Sequence, residues 1–231
     1  MTIKTSIDDM EVAKFAAHAD VWWERDGPLK TLHDINPTRL EFIQKYVLLR
    51  GIRMLDLGCG GGILTESLAQ AGAQVVGLDV EAEALLAARA HASCSAISLD
   101  YVCSPVELFD AEPFDCITCM ELLEHVTDPE MIISHAFRLL KPGGLLILST
   151  LNRTAKAYAT VIFAAEYLFS LLPRQTHDYD KFIRPSELAQ AVRKVGFDVI
   201  GLSGMRYNPF TRTAMLCQQV DVNYFLVAKR S

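Results

Sequence analysis

Apolar side chains recur at helical spacing in the first fifty residues and in short, strand-length runs after residue 53. In the first part, one helix is predicted from about Asp8 to Glu24, before the turn-forming Asp26-Gly27-Pro28. A second helix is predicted to begin at Asn36-Pro37, because Asn can cap the first amides and Pro suits the first turn. Residues 1–50 are therefore expected to form a helical cap.

From residue 53 onward, short apolar runs alternate with stretches of helix length. Helices are predicted at Ile63–Ala71, Glu81–His91, Pro129–Leu140 and Pro185–Lys194. Strands are predicted at seven runs: Arg53–Leu57, Gln74–Asp79, Ile97–Cys103, Phe114–Met120, Gly144–Thr150, Phe197–Ser203 and Asn223–Lys229. This order indicates an α/β fold with a doubly wound, mainly parallel, seven-stranded sheet. The last two strands have no long crossover helix between them, which favours an antiparallel edge hairpin.

The composition favours one globular domain. The chain has 231 residues, of which 51% are hydrophobic, and neither a linker nor an internal repeat separates two cores. We expect four parts within this domain: the cap at 1–50, a cofactor-binding core at 51–150, a helical insertion at 151–184, and a C-terminal helix with the edge hairpin at 185–231. The formal net charge of −6 argues against a nucleic-acid partner.

The cysteines and the first residues bear on the cellular compartment. The six cysteines do not follow the spacing of a secreted disulfide framework, and no signal-peptide pattern opens the chain. Three acidic side chains in the first fifteen residues argue against a mitochondrial presequence. We therefore expect reduced thiols in a cytoplasmic compartment. Cys116 and Cys119 have redox spacing but lie within a predicted strand, so they are expected to pack as small apolar groups.

A glycine-rich turn after the first predicted strand has the features of a nucleotide-binding site. Gly58, Gly60 and Gly62 alternate through the run Asp56-Leu57-Gly58-Cys59-Gly60-Gly61-Gly62. Glycines let a ligand approach the backbone amides at the start of the following helix. About 20 residues later, Asp79 closes the second predicted strand, at the position that holds ribose hydroxyls in such folds.

The spacing of these glycines distinguishes between two cofactors. The dinucleotide fingerprint G-x-G-x-x-G needs its third glycine at position 63, which is Ile63, so a nicotinamide-dependent oxidoreductase is the weaker alternative. The alternating glycines after Asp56 resemble motif I of the class I S-adenosyl-methionine-dependent methyltransferases, which have a Rossmann-like fold. This cofactor carries no phosphate but has an ammonium group, which Asp56 can hold directly or through water.

The residues after the fourth predicted strand are candidates for the chemistry. Carboxyl ends of strands line the ligand crevice in open α/β sheets, so Glu121, Glu124 and His125, which follow Met120, are expected to face the reacting centre. Their helical spacing suits a divalent cation such as Mg²⁺. In the alternative, they are polar lining residues, with His125 either a general base or part of the wall.

Longer blocks of sequence resemble the ubiquinone-biosynthesis O-methyltransferases. The blocks extend from about Glu11 to Lys229, and several are too long to match by chance. They are Trp22-Trp23, residues 28–40, residues 119–126, residues 149–153, residues 176–178 with 181–183, and residues 207–209 with 221–224.

This resemblance implies roles for individual residues. Arg39 matches an arginine near the methionine carboxylate of the cofactor, Gly58 a backbone contact, Asp79 the ribose acid, and Met120 the residue beside the adenosyl group. Glu121, Glu124 and His125 match a proposed divalent-metal site. The chain departs from many methyltransferases at Cys103-Ser104-Pro105-Val106, which offers no acid for the adenine amine, so no side chain is assigned there.

The resemblance also implies the reaction. The enzyme would methylate phenolic hydroxyls of polyprenylated catechols, namely 3-demethylubiquinol and 2-polyprenyl-6-hydroxyphenol. It must align the reacting atoms and remove the phenolic proton, either with a divalent ion or with His125 as the base, oriented by Glu124. A non-catalytic scaffold of a quinone-biosynthetic complex is a further alternative, although the intact site residues disfavour it.

The most apolar stretch of the chain, residues 157–172, bears on membrane contact. It is too short to span a bilayer comfortably, and Glu166 lies near its middle. Five cations flank it: Arg153, Lys156, Arg174, Lys181 and Arg184. It is expected either to lie in the interface of an anionic membrane or to form a buried roof over the active site. A bacterial-type protein at the inner face of the cytoplasmic membrane is the corresponding location.

Overall fold

The computed structural model describes residues 5–95, 97, 99–160 and 179–231. The helices are α1 (Asp9–Ala16), α2 (Lys30–Gln44), α3 (Ile63–Gln70), α4 (Ala82–Cys94), α5 (Pro129–Leu139) and α6 (Pro185–Val195). The strands are β1 (Arg53–Leu57), β2 (Gln74–Asp79), β3 (Asp100–Cys103), β4 (Phe114–Met120), β5 (Leu140–Leu151), β6 (Phe197–Asn208), β7 (Thr213–Cys217) and β8 (Asn223–Arg230). Short 3₁₀ turns occupy Ala19–Val21, Leu123–His125 and Tyr179–Lys181.

The strands form one sheet in the order β3-β2-β1-β4-β5-β8-β6-β7. The pairs among β1 to β5 are parallel, and the pairs that involve β6, β7 and β8 are antiparallel. The doubly wound, mainly parallel sheet is therefore confirmed, but the predicted number of seven strands is wrong, because the described residues form a sheet of eight. The additional strand is β7 at the edge. Residues 214–217 of β7 are apolar, but none is fully buried, because β7 lies at the edge and pairs with β6 on one side only.

Alternating side chains of the sheet pack into two hydrophobic cores, one on each face. Met54 of β1 packs with Phe42 of α2 and Leu68 of α3 on one face. Its neighbour Leu55 points to the other face, where Ile133 of α5 and Val192 of α6 lie in the same cluster. This alternation follows from the two-residue period of a strand and explains why helices cover both faces.

The helical cap differs from the expected boundaries. α1 ends at Ala16, well before Glu24, and α2 begins at Lys30, so Pro37 lies inside the helix. Asn36 is therefore not a cap. Its Nδ2 donates to Ser67 Oγ at 2.8 Å and to the backbone oxygen of Ile63 at 3.3 Å, which fastens α2 to α3. We infer that these contacts and the buried face of α2 outweigh the hydrogen bond that proline cannot make.

The hairpin of β6 and β7 is fastened to α2 by polar contacts. Tyr207 Oη donates to Asp34 Oδ2 at 2.7 Å, and Arg212 Nε lies 3.1 Å from the same oxygen. Arg212 Nη2 donates to Asp34 Oδ1 at 3.0 Å. Arg212 and Tyr207 thus tie the edge of the sheet to the helix that carries Arg39.

The helices within the described residues bear on whether the chain can cross a membrane. Over these ranges, no helix is both long enough and apolar enough to cross a bilayer. Most of the apolar stretch, residues 161–172, lies outside the described residues, so its two interpretations stay predictions.

Candidate active site

A cavity of about 720 Å³ opens at the carboxyl ends of β1, β2 and β4. These three strands are neighbours in the sheet, so their ends meet at one edge. All nine side chains or glycines predicted from the sequence line this cavity: Arg39, Asp56, Gly58, Gly60, Asp79, Met120, Glu121, Glu124 and His125. The fold therefore brings the candidate residues together, as expected for the crevice of an open α/β sheet.

The glycine-rich turn has the backbone conformation for which glycine is suited. Gly58, Gly60 and Gly62 all have positive φ, at 74°, 51° and 84°. The amide of Gly60 donates to Asp79 Oδ2 at 2.7 Å, so the acid at the end of β2 is joined to the turn. The other oxygen of Asp79 accepts the amide of Glu81 at 2.9 Å. Burial raises the pKa of Asp79 above its ordinary value, although these amides oppose the shift.

Asp56 is fixed by two threonine hydroxyls. Thr65 donates to its Oδ2 at 2.7 Å, and Thr118 donates to its Oδ1 at 2.8 Å. Thr118 faces Asp56 because the two residues are paired in the register of β1 and β4. Burial raises the pKa of Asp56 above its ordinary value, against the lowering effect of the two hydroxyls. The carboxylate therefore has a fixed orientation at the wall of the cavity.

Arg39 is a buried cation with unused donors. It is 5% exposed, and Glu121 Oε1 is 4.0 Å from its Nη2. Among the described residues, neither Nε nor Nη2 of Arg39 has a hydrogen-bond partner. Burial lowers the pKa of Arg39, and the charges of Glu121, Asp56 and Glu124 oppose this shift. A buried guanidinium with unmet donors at a cavity wall is suited to bind an anion.

Glu121 is held in an uncommon backbone conformation. Its φ is 52°, which is rare for a residue with a β-carbon. The side chain accepts hydrogen bonds from Asn223 Nδ2 at 2.9 Å and from Ser149 Oγ at 2.5 Å. These bonds, together with Arg39, bind the carboxylate to β5, β8 and α2.

Glu124 is a buried carboxyl group whose charged neighbours are Glu121 and His125. Its Oε2 accepts a hydrogen bond from Thr150 Oγ1 at 2.7 Å. Burial, reinforced by the charge of Glu121, raises the pKa of Glu124 from an ordinary value of 4.5 to about 7. The hydrogen bond from Thr150 and the charge of His125 act in the opposite direction.

His125 is oriented by Glu11, a residue that the sequence did not indicate. Its Nδ1 lies 2.9 Å from Glu11 Oε2, across a separation of 114 residues. Glu124 Oε2 is bonded to Thr150, and its charge raises the pKa of His125, so the predicted orienting role of Glu124 stays a prediction. Burial lowers the pKa of His125, but the hydrogen bond to Glu11 and the charges of Glu124, Glu11 and Glu121 outweigh it, so the pKa lies above its ordinary value.

The three candidate metal ligands do not converge. Glu121 accepts from Ser149 and Asn223, Glu124 accepts from Thr150, and the Nδ1 of His125 is paired with Glu11. Within the described ranges, no group of three or more His, Cys, Asp or Glu side chains is placed to hold a metal ion. Both oxygens of Glu121, Oε2 of Glu124 and Nδ1 of His125 are bonded to separate partners, and the metal role of these three residues stays a prediction.

The paired tryptophans of the cap pack on the glycine-rich turn. A β-carbon on Gly60 would lie 2.4 Å from Trp22 Cζ2. Trp23 Nε1 donates to the backbone oxygen of Gly61 at 3.0 Å, and its ring stacks on His91 with centroids 3.3 Å apart. The sequence contained one signal for this wall, the Trp22-Trp23 block of the resemblance, but not its contact with the turn.

Two other expectations concern thiols and surface cations. Cys116 and Cys119 are buried, and burial raises the pKa of both thiols, so their packing as apolar groups is confirmed.

Three of the cations that flank the apolar stretch at residues 157–172 are engaged in ion pairs: Arg153 with Glu187, Lys156 with Asp221 at 2.8 Å, and Lys181 with Asp8 at 2.9 Å. These pairs reduce the positive charge available to an anionic membrane.

Comparisons with known proteins agree with this geometry. Residues 31–202 match a family model described as a methyltransferase domain. Among solved structures, magnesium protoporphyrin IX methyltransferase from Synechocystis PCC 6803 has a TM-score of 0.68 at 19% identity, over 99% of this chain and 100% of that chain. A possible histamine N-methyltransferase from Thermotoga maritima has a TM-score of 0.69 at 16% identity, over 96% and 99% of the two chains. Fold and family model thus define a methyltransferase.

Curated relatives narrow this class. The ubiquinone biosynthesis O-methyltransferase of Chromobacterium violaceum is 46% identical over 230 residues, which is 98% of this chain and 99% of that protein. The proteins of the same name from Neisseria meningitidis serogroup C and Pseudomonas aeruginosa are each 47% identical, over 98% of this chain and 97% and 99% of their own lengths. The chain belongs to the ubiquinone biosynthesis O-methyltransferase family, and the predicted resemblance is confirmed.

Proposed function

We propose that this protein transfers a methyl group from S-adenosyl-methionine to a phenolic hydroxyl of polyprenylated catechols in ubiquinone biosynthesis. The observation that carries this proposal is the buried guanidinium of Arg39 at the cavity wall, two of whose nitrogens have no hydrogen-bond partner among the described residues. A carboxylate is the natural partner of such a group, and the co-substrate carries one.

The other residues of the cavity fit the remaining groups of S-adenosyl-methionine. Gly58 and Gly60 of the turn both line the cavity, and Leu122 and Trp22, which pack against these glycines, form the neighbouring wall. In the proposal, Asp56 holds the ammonium group, Asp79 the ribose hydroxyls, and Met120 packs beside the adenosyl group. The turn at residues 104–107, which also lines the cavity, is left to contact adenine through its backbone.

The reaction proposed for this site is a direct displacement. The phenolic oxygen forms a bond to the methyl carbon while the carbon–sulfur bond breaks, and S-adenosyl-homocysteine leaves with the electron pair on sulfur. His125 takes the phenolic proton, and Glu11 and Glu124 provide negative charge beside the resulting imidazolium. The protein thus contributes alignment, exclusion of water and a base, because the sulfonium already activates the methyl group.

The lining away from these polar groups suits an aromatic, apolar substrate. Side chains of the cap, of α2 and of β6 contribute to this lining, among them Val12, Phe15, Leu32, Ile35 and Met205. The polyprenyl chain requires an exit toward lipid, and we propose peripheral contact with the inner face of the cytoplasmic membrane through the apolar stretch at residues 157–172. Membership of an assembly of ubiquinone-biosynthetic enzymes is proposed on the family resemblance alone.

Calorimetry tests the cofactor proposal. S-adenosyl-homocysteine is expected to bind, whereas NAD is expected not to bind, since position 63 lacks the glycine of a dinucleotide site. Binding of NAD alone would support the oxidoreductase alternative. Turnover of a short-chain catechol would exclude a purely structural scaffold, and a parallel series with Mg²⁺ and with a chelator measures any dependence on a divalent ion.

A liposome-flotation assay tests the membrane proposal. A Phe163→Asp, Phe169→Asp double variant is expected to lose binding to anionic vesicles. Phe210→Asp is the matched control, because Phe210 is 90% exposed on the turn between β6 and β7, outside the apolar stretch. Equal flotation of the wild type and the double variant would rule out this membrane role.

A further inference from the structure

The contact between Glu11 and His125 joins the cap to the reaction side of the cavity. Glu11 lies in α1, His125 in the turn after β4, and both line the cavity. Glu11 Oε2 and His125 Nδ1 are 2.9 Å apart. Burial raises the pKa of Glu11, but its hydrogen bonds to His125 and Lys14 outweigh it and hold the value at about 2. An ionised carboxylate can only accept a hydrogen bond, so the hydrogen of this contact belongs to Nδ1.

The carboxylate of Glu11 is itself held in place. Its second oxygen, Oε1, lies 2.8 Å from Lys14 Nζ and 3.6 Å from Lys181 Nζ. Lys181 also binds Asp8 Oδ2 at 2.9 Å, and Asp8 caps α1 by accepting the amides of Met10 and Glu11. The start of α1 is therefore fixed against the 3₁₀ turn at Tyr179–Lys181.

Packing restrains the imidazole from a second direction. The ring of Phe15, one turn after Glu11 in α1, meets the ring of His125 edge to face, with centroids 5.2 Å apart and an interplanar angle of 89°. A hydrogen bond at Nδ1 and an aromatic contact on the ring together define both the tautomer and the plane of the imidazole.

We propose that Glu11 is a positioning residue for methyl transfer, holding His125 in the tautomer that carries hydrogen on Nδ1 and leaves Nε2 as the basic nitrogen. This inference rests on the proposed role of His125 as the base. The phenolic proton goes to Nε2, the oxygen keeps the electron pair that attacks the methyl carbon, and the imidazolium that forms stays paired with Glu11. No proton passes to Glu11. Aligning a base through a carboxylate on its other nitrogen increases the rate by keeping the productive tautomer populated.

The chain offers a matched control for the loss of a buried carboxylate–histidine pair. Glu66 in α3 and His91 in α4 form a contact of the same type, with Oε1 and Nδ1 2.9 Å apart. Glu66 is buried like Glu11, but neither Glu66 nor His91 is among the residues that line the cavity. Glu66→Gln therefore reports the general effect of neutralising such a pair.

The experiment compares Glu11→Gln, Glu11→Asp and Glu66→Gln by two measurements. The ¹⁵N shifts of the His125 ring, recorded at a pH above the raised pKa of His125, report the tautomer of the neutral imidazole. Steady-state kinetics on a short-chain catechol give kcat and KM. In Glu11→Gln, we expect the single Nδ1–H tautomer to be lost and kcat to fall about 10- to 100-fold, with unchanged affinity for S-adenosyl-homocysteine. Glu11→Asp keeps the charge and is expected to restore part of kcat, whereas Glu66→Gln keeps the wild-type kcat.

The outcomes separate this inference from the proposed function. An unchanged His125 tautomer in Glu11→Gln, or a changed tautomer with wild-type kcat, would overturn the positioning role while leaving methyl transfer intact. Wild-type turnover of His125→Ala would instead remove the proposed base. Should Glu11→Gln fail to fold, Glu11→Asp decides: a kcat equal to that of the wild type with a displaced ring would equally overturn the inference.

Discussion

Trp22 lies directly against Gly61 in the glycine-rich turn, and a β-carbon added to Gly61 would come within 2.2 Å of Cδ1 of the indole. The cap, which precedes the sheet in sequence, thus forms part of the wall of the nucleotide site. Its second tryptophan adds a hydrogen bond to the backbone oxygen of the same glycine. The absence of a side chain at position 61 is therefore required by packing, since its φ is not in the left-handed region.

Gly61→Ala is expected to displace Trp22. Overpacking of this kind destabilises proteins by about 1–3 kcal/mol, and the displaced cap should also weaken binding of S-adenosyl-homocysteine. Chemical denaturation and calorimetry measure the two effects. Adding Trp22→Ala to Gly61→Ala is expected to recover part of the stability difference, because the second change creates the missing space. Strictly additive effects in the double variant would contradict this account of the contact.

Tryptophan fluorescence is expected to report binding at the cavity. Trp22 and Trp23 are the two tryptophans of the chain, and both contact the glycine-rich turn. Titration with S-adenosyl-homocysteine should change the emission in proportion to occupancy, with the same midpoint as calorimetry. Trp22→Phe and Trp23→Phe divide the signal between the two rings. Emission that stays constant at saturation would place bound ligand away from these indoles.

Arg39→Met is expected to weaken binding of S-adenosyl-homocysteine about 10- to 100-fold, because a charge-assisted hydrogen bond contributes roughly 1.5–3 kcal/mol. 5′-Methylthioadenosine, which lacks the amino acid portion, is the matched ligand and should bind the variant and the wild type equally. Arg138→Met is the matched protein control, since Arg138 lies on the surface of α5. If both ligands lost affinity alike, Arg39 would act on the fold rather than on the carboxylate.

Glu124 gives the stability of the protein a defined pH dependence. Its folded-state pKa of about 7 exceeds the ordinary value of 4.5, so the folded state binds more protons over this interval. Wild-type stability should therefore fall, relative to that of Glu124→Gln, as pH rises from 4.5 through 7, by up to about 3 kcal/mol. Above that window the difference should be constant. Glutamine keeps an oxygen that can accept from Thr150.

Glu187→Gln serves as the control for this pH series. Partial burial raises the pKa of Glu187, but the amide of Arg184 and the side chain of Arg153 outweigh it, so the pKa lies below the ordinary value of 4.5. Its contribution is present above that value and is lost as pH falls, so the stability difference should be flat between pH 5 and 8. A difference for Glu124→Gln that is equally flat would contradict the raised pKa.

The sequence predicted those parts of the site that depend on local patterns. The bounds of β1, β2 and β4 were correct because each is a short, mainly apolar run between polar or turn-forming residues, and Gly58, Asp79 and Met120 follow from the ends of these strands. Contacts between distant segments could not be predicted. Glu11 reaches His125 across 114 residues, and nothing in the spacing of α1 indicates it.

Helix boundaries failed where tertiary contacts outweigh local preference. Asn36-Pro37 has the pattern of a helix start, yet Asn36 is used to join α2 to α3, and the helix begins at Lys30. The metal site stays a prediction, but the helical spacing on which it was based is not found. Helical spacing would stack Glu121, Glu124 and His125, but Glu121 has positive φ and the turn that follows it is 3₁₀, so their side chains meet different partners.

In the proposed reaction, the cavity delivers a methyl group from a sulfonium to a phenolic oxygen. The most direct test of this transfer is a single-turnover reaction with S-adenosyl-methionine labelled at the methyl carbon and a short-chain demethylated ubiquinol, followed by mass spectrometry. We expect one labelled methyl group on the phenolic oxygen, in an amount equal to the S-adenosyl-homocysteine formed, and a strong reduction of this product in His125→Ala. An unlabelled phenol in the presence of bound S-adenosyl-methionine, or labelled carbon attached to the ring, would contradict this proposal.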